Sequence, residues 1–289
     1  MLLDVLQNVR LRYAGLRFQG CYGSWDEAKR RSSGYDANEI LEQVRVATRT
    51  VLSRPGLIER DSVVLPAGEP PWQLLWILER TLREHGVVRV LDFGGSLGSV
   101  YRQIREFLPW SSDVRWQIVE QPNFVEAGRE FEDSELRFFG SVDECLERGV
   151  VPDVVILSSV LQYLPEPWGA LDDVTRAGAR YLLVDKTPFL ESPESVIVVQ
   201  HVPPTIYPAT YPAWLLSRGR LVSELAAREW KIEVRWQCPE FLPWVRNGGV
   251  VTRMYHEGAI FSLQRGVQGE VTTNGSAGPD GPLASTDRP

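Results

Sequence analysis

Long apolar runs are missing. No stretch of the 289 residues approaches the roughly 20 that a membrane-spanning helix needs, and the opening MLLDVLQNVRLR breaks its apolar residues with Asp4 and Arg10, unlike a signal peptide. The expectation is a soluble, cytoplasmic protein with no membrane partner. Cysteine is scarce: Cys21, Cys145 and Cys238 are odd in number and far apart, which suits a reducing compartment, offers no metal-ligand cluster and predicts three buried small hydrophobes. Positive charge is in deficit, with 31 basic against 38 acidic residues and a net charge of -7, so the basic stripe that displaces counterions from nucleic acid is lacking, and nucleic acid is excluded as a partner. Lysine is nearly absent, only Lys29, Lys186 and Lys231. That bias is read as genome composition and is given no function. No repeat at a fixed period is present, which disfavours solenoids and propellers.

What is present is globular: 43% hydrophobic, 10% aromatic and 24% charged residues, which excludes wholesale disorder, collagen-like and coiled-coil classes. At about 150 residues per domain the length allows one large domain or two small ones. Residues 267–289, rich in Gly, Pro, Ser and Thr, read as a disordered tail. Residues 1–70 read as a helical lead-in or lid, with capping signals at Ser24 with Glu27 and at Asp36 with Glu39, the second preceding a helix-period run Ile40, Val44, Ala47, Val51. Trp72 to Glu84 is a further amphipathic stretch.

From Val87 short apolar runs alternate with helical segments. VVRVLDF (87–93), VRWQIVE (114–120), LRFFG (136–140), DVVILSS (153–159) and RYLLVDKT (180–187) are expected strands, separated by helices near 99–108, 122–131, 141–148 and 167–177. A loop over 201–212, a helix near 214–229 and strands 230–237 and 258–265 complete the pattern. The expected fold is α/β: a Rossmann-like, doubly wound, mostly parallel seven-stranded sheet with helices on both faces over 71–266, behind the helical N-terminal lead-in.

VLDFGGSLGS (90–99) carries the strongest signal, a strand ending in Asp92 that runs through Gly94, Gly95, Ser96 and Gly98 into a helix. Such a turn needs positive φ and a backbone that a ligand can approach without a Cβ. Neither Gly94 nor Gly95 starts the G-x-G-x-x-G register of dinucleotide folds, and no Gly-Lys-Ser/Thr of a P-loop follows. A carboxylate at the strand end opposes a pyrophosphate and favours a cationic ligand. S-adenosylmethionine, with its sulfonium and ammonium, has that charge.

DFGGSLG resembles motif I of class I S-adenosylmethionine-dependent methyltransferases, with Ser96 where a glycine commonly stands. The resemblance implies that Glu120, with Gln121 beside it at the end of the second strand, accepts hydrogen bonds from both ribose hydroxyls, as a bidentate carboxylate suits a vicinal diol. It implies that PDVVILSSVLQYLPEP (152–167) floors the cofactor pocket with Ser158, Ser159 and Val160 and covers it with Leu161, Gln162 and Tyr163. Ser141, followed by Glu144, is first a helix cap and second an adenine-side contact. More narrowly, YGSWDEAKRRSSGYD, ERDSV, VEQPNFVEAG, DKTPF and VPPTIYPATYPAW resemble a family of predicted bacterial methyltransferases often encoded among polysaccharide-biosynthesis genes, which implies a saccharide acceptor.

Methyl transfer from a sulfonium is an in-line displacement that positioning accelerates, and a hydroxyl acceptor needs a general base within reach. The candidates are His201 and Asp185, with His256, Tyr207 and Tyr211 behind them. No metal is expected, because Asp185 has no neighbouring carboxylate to complete a site. Tyr207, Tyr211 and Trp214, among Pro204, Pro208 and Pro212, form an expected aromatic platform for a sugar ring. The leading function is O-methylation of a saccharide or another small hydroxylated metabolite by a monomer or homodimer. The alternatives are N- or C-methylation of a secondary metabolite, and a catalytically silent binding module.

Overall fold

The computed structural model describes residues 16–33, 37–60, 62–66, 70–108, 113–203, 209–238, 244–247 and 250–264. The expected tail, the cap at Asp36, and Pro204, Tyr207 and Pro208 lie outside the described residues. In chain order the strands are β1 (Arg17–Tyr22), β2 (Leu57–Arg60), β3 (Val63–Pro66), β4 (Val87–Phe93), β5 (Asp113–Val119), β6 (Leu136–Phe139), β7 (Val154–Ser158), β8 (Tyr181–Leu190), β9 (Val196–His201), β10 (Thr210–Ser217), β11 (Trp230–Gln237), β12 (Trp244–Asn247), β13 (Val250–Arg253) and β14 (Tyr255–Leu263). The helices are α1 (Trp25–Arg30), α2 (Ala37–Ser53), α3 (Trp72–His85), α4 (Ser99–Arg105), α5 (Pro122–Gly128), α6 (Val142–Glu147), α7 (Pro167–Arg176) and α8 (Arg218–Ala226).

The parallel core follows from local rules. β4 pairs in parallel with β5 and β7, β5 with β6, and β7 with β8, while β14 returns antiparallel along β8 and carries β11 on its far side. The runs are apolar throughout because both faces are covered. Val90 and Ile156 face one buried cluster with Trp116 and Ile77, and Leu91 and Val155 face another with Leu171 and Phe261. Strand order reverses between β4 and β7, and that switch point lies directly beyond Asp92. Ser24 Oγ accepts from the Glu27 amide at 3.2 Å while Glu27 Oε2 accepts from the Gly23 amide at 3.1 Å, so the expected cap closes reciprocally.

The sheet has ten strands rather than the expected seven. Seven of them, β6-β5-β4-β7-β8-β14-β11, form the expected core. The other three, β10, β9 and β1, extend from the end of β8, which runs past its neighbour β7 to Leu190 and pairs there with β10. Residues 214–217, expected to be helical, finish β10, and the helix starts only at Arg218 under the Ser217 cap. Pro212, which cannot donate to a ladder, stands within this strand. The lead-in is also only partly helical, because β1 pairs antiparallel with β9 and β2–β3 form a hairpin. Its strands are short, and the β1 alternation is broken by a bulge at Gly20. Cys145 and Cys238 are buried as expected, but Cys21 is exposed on this added edge.

Candidate functional site

The glycine loop is shaped from below as much as from above. Gly94 and Gly98 take φ of 74° and 92°, the left-handed region that glycine alone enters cheaply. A Cβ on Gly94 would stand 2.5 Å from Val160, and one on Gly95 would stand 2.6 Å from the Asp92 carboxylate. Two of the three glycines are therefore required by packing inside the protein, a reason that spacing alone does not reveal. Ser96 also sits at positive φ, 54°, where a side chain is strained.

Asp92 lies beneath this loop, 1% exposed, and its Oδ2 accepts from the indole nitrogen of Trp116 at 3.1 Å. Burial pushes its pKa up to about 7, against the pull of the Trp116 bond and with a further push from Glu120. Glu120 is held open by the backbone. The Ser96 amide donates to Oε1 at 3.0 Å and the Gln121 amide to Oε2 at 2.9 Å, so each oxygen keeps a second lone pair for a ligand. Burial raises the pKa of this carboxyl too, and the two amide bonds oppose the rise.

Ser158 ends β7 opposite Asp185, and Ser159 takes φ of 56° while its amide donates to the Asp185 carbonyl at 2.9 Å. Ser159 Oγ accepts from the Gln162 amide at 3.1 Å. Asp92, Gly94, Gly95, Ser96, Gly98, Glu120 and Gln121 are thus joined in one hydrogen-bonded or packed group, and Val160 ties Ser158 and Ser159 to it through Gly94. Ser141 caps α6, its Oγ accepting from the Glu144 amide at 3.0 Å while Glu144 reaches back to the Gly140 amide at 2.7 Å.

The two expected base residues do not come together. Asp185 Oδ1 accepts from the indole nitrogen of Trp236 at 3.1 Å and from the Cys238 thiol at 3.6 Å, and its Oδ2 lies 3.8 Å from Lys186 Nζ. His201 Nε2 bonds Gln19 Oε1 at 2.9 Å across the β9–β1 pair. Alternation on β9 turns His201 to the face opposite Gln200, whose amide donates to the Tyr211 hydroxyl at 3.1 Å and bonds the Tyr163 hydroxyl. His256 is buried, and burial alone drops its pKa to about 3. Trp214 donates its indole hydrogen to the Leu164 carbonyl and stacks on Trp25 at 6.3 Å. Among the described residues, no cluster of three or more His, Cys, Asp or Glu side chains is placed to hold a metal ion, and no helix is long and apolar enough to cross a membrane.

Three participants carried no role in the sequence reading. Trp116 is the donor to Asp92, and its place opposite Val90 on the neighbouring parallel strand is legible only once register is known. Trp236 does the same for Asp185 from across β14. Glu59, 7% exposed on β2, accepts from the Ser62 amide at 2.8 Å and from the hydroxyl of Ser99, the first residue of α4 after the glycine loop. ERDSV contains it, but the acid and the loop are 40 residues apart and only the hairpin brings them together.

No protein-family model matches the sequence, and no curated protein matches it. Among solved structures, the N-terminal domain of EvdMO1 in the presence of SAH and D-fucose is 13% identical, with a TM-score of 0.47 over 80% of this chain and 98% of that one. The [4+2]-cyclase SpnF is 12% identical, with a TM-score of 0.44 over 78% and 94%. The CcbJ methyltransferase from Streptomyces caelestis is 13% identical, with a TM-score of 0.38 over 69% and 98%.

Proposed function

We propose that the chain is an S-adenosylmethionine-dependent methyltransferase that methylates a hydroxyl of a saccharide or another small hydroxylated metabolite. The observation that carries this reading is the Glu120 carboxylate, clamped by the Ser96 and Gln121 amides beside a strand-end acid and a left-handed glycine turn. These residues fit the cofactor. Glu120 offers two oriented oxygens to a vicinal diol, and Asp92 under the loop supplies negative potential for a cation once it ionises. Gly98 leaves room, since a Cβ there would meet nothing nearer than 3.4 Å. When bound, S-adenosylmethionine supplies an electrophilic methyl group on a sulfonium.

The chain's own contribution is placement. Asp92, Gly94, Gly95, Ser96 and Gly98 shape the cradle, Glu120 and Gln121 fix one end of the ligand, and Ser158 and Ser159 form the floor. Ser141 contributes by capping α6. The β2–β3 hairpin reaches the loop through Glu59 and Ser99. For proton removal the geometry favours neither expected residue strongly: Asp185 is engaged by Trp236, Cys238 and Lys186, and His201 is turned toward β1.

The test is calorimetric titration with S-adenosylmethionine and S-adenosylhomocysteine. Micromolar binding that Glu120→Ala abolishes is the expected result. No binding of either by folded protein overturns the reading in favour of a silent module of the same fold.

A further inference from the structure

Gln162 is 2% exposed in the 3-10 turn Leu161–Tyr163 that follows β7. Its amide nitrogen donates to Ser159 Oγ at 3.1 Å and to the Lys186 carbonyl at 3.4 Å. A carbonyl only accepts, so the Lys186 contact fixes which end of the side chain is nitrogen. The other end, Oε1, is buried without a hydrogen-bond partner among the described residues. Leaving a buried amide oxygen unmet costs about 1–3 kcal/mol, so this position calls for a donor.

The surroundings narrow that donor. Val160, two residues earlier, packs on Gly94, so the turn adjoins the glycine loop. Tyr163, the next residue, leads into the bonded series Tyr163, Gln200, Tyr211, and the two phenol rings meet edge to face at 5.2 Å. All of these groups are neutral. The nearest charges on β8, Asp185 and Lys186, face each other. An ammonium is matched by a carboxylate and a phosphate by a guanidinium or ammonium, whereas an amide oxygen among phenols and amides complements an uncharged hydroxyl.

Resting on the methyltransferase reading above, we propose that Gln162 Oε1 receives a hydroxyl of the acceptor, and that the acceptor is an uncharged saccharide rather than a phosphorylated or nucleotide-linked sugar. Gln162 then sets acceptor specificity, with Tyr163, Gln200 and Tyr211 forming the neutral wall beside it.

The experiment uses full-length protein saturated with S-adenosylhomocysteine. Saturation-transfer NMR follows a panel of methyl glycosides, covering gluco, galacto, manno and 6-deoxy sugars, and the matching sugar 1-phosphates. At least one methyl glycoside is expected to bind the wild type more tightly than any sugar phosphate. Gln162→Met should weaken that binding roughly tenfold or more and leave S-adenosylhomocysteine affinity within about twofold. Gln162→Glu at pH 5, where burial keeps a carboxyl protonated, retains a carbonyl oxygen at that place and should retain the binding. Glycoside binding unchanged in Gln162→Met overturns the proposal and makes Gln162 structural. A parallel loss of S-adenosylhomocysteine affinity assigns the oxygen to the cofactor instead. Binding of sugar phosphates alone, or of no glycoside, overturns the neutral-saccharide assignment. Failure of the wild type to bind S-adenosylhomocysteine overturns the methyltransferase reading, and the proposal with it.

Discussion

β4 and β8 carry aspartates that are held alike. Asp92 near the end of β4 and Asp185 midway along β8, beside the end of β7, each accept an indole N–H at 3.1 Å, from Trp116 in one case and Trp236 in the other. Each carboxylate is roofed by a glycine, Gly95 or Gly258, whose Cβ would stand 2.6 Å from it. What differs is the charge nearby. Asp185 has the Lys186 ammonium at 3.8 Å, whereas the charged neighbour that acts on Asp92 is another acid, Glu120, and burial holds the Asp92 proton to about pH 7. The same clamp thus gives an ion-paired anchor on β8 and, on β4, a carboxyl that a cationic ligand would ionise.

The largest effects should come from the roofs. Gly95→Val and Gly258→Val each force a side chain into a clamp, and each should cost about 3 kcal/mol or more by urea denaturation. Only Gly95→Val should abolish S-adenosylhomocysteine binding in the fraction that folds. Equal loss of binding in both variants would erase the functional half of the contrast.

The donors come next. Trp116→Phe and Trp236→Phe each remove one N–H from a carboxylate and should cost about 1–3 kcal/mol. For Trp116→Phe the cost should grow above pH 7, where Asp92 is charged and needs the donor most. A cost independent of pH would place the Asp92 proton elsewhere.

Titration separates the clamps further. Asp92 keeps its proton to about pH 7 when folded and to about 3.8 when unfolded, so between those values the folded chain binds the extra proton. Its contribution to stability is complete below pH 3.8 and is lost as pH rises through 7. His256 acts in the opposite sense, because burial lowers its pKa from 6.5 to about 3. The unfolded chain binds the extra proton in that window, and stability falls as pH drops through it. The two trends oppose each other between about pH 4 and 6.5. Asp92→Asn removes the first of these trends, so its Tm should climb more steeply with pH than that of the wild type over the same range in a thermal melt series.

The smallest effect is expected at Ser96. Its φ of 54° strains a serine, and Ser96→Gly should stabilise by no more than about 1 kcal/mol, with the Glu120 bond to its amide retained.

The parallel core was legible because its information is local: apolar runs of strand length, helix caps and the glycine turn each declare themselves within about ten residues. The Ser141 cap and the Glu120 strand end fall in this class. β1, β9 and β10 were not: β1 pairs with β9 almost two hundred positions away, a bulge breaks the alternation of β1, and Pro212 interrupts β10, which pairs with the nearby β9. The site divides in the same way. Asp92 and the glycines are visible in the sequence, whereas Trp116, Trp236 and Glu59 depend on register between strands or on a hairpin that folds back.

The pairing of β1 with β9 also sets an order of events during synthesis. Arg17 and its partner His201 are separated by most of the described chain, so at roughly 5–20 residues per second β1 leaves the ribosome about 10–40 s before β9 exists to receive it. The parallel core can assemble in that interval. The strand made first is therefore among the last to find its place, and it closes the outer edge of the added sheet only after the core beneath it has formed.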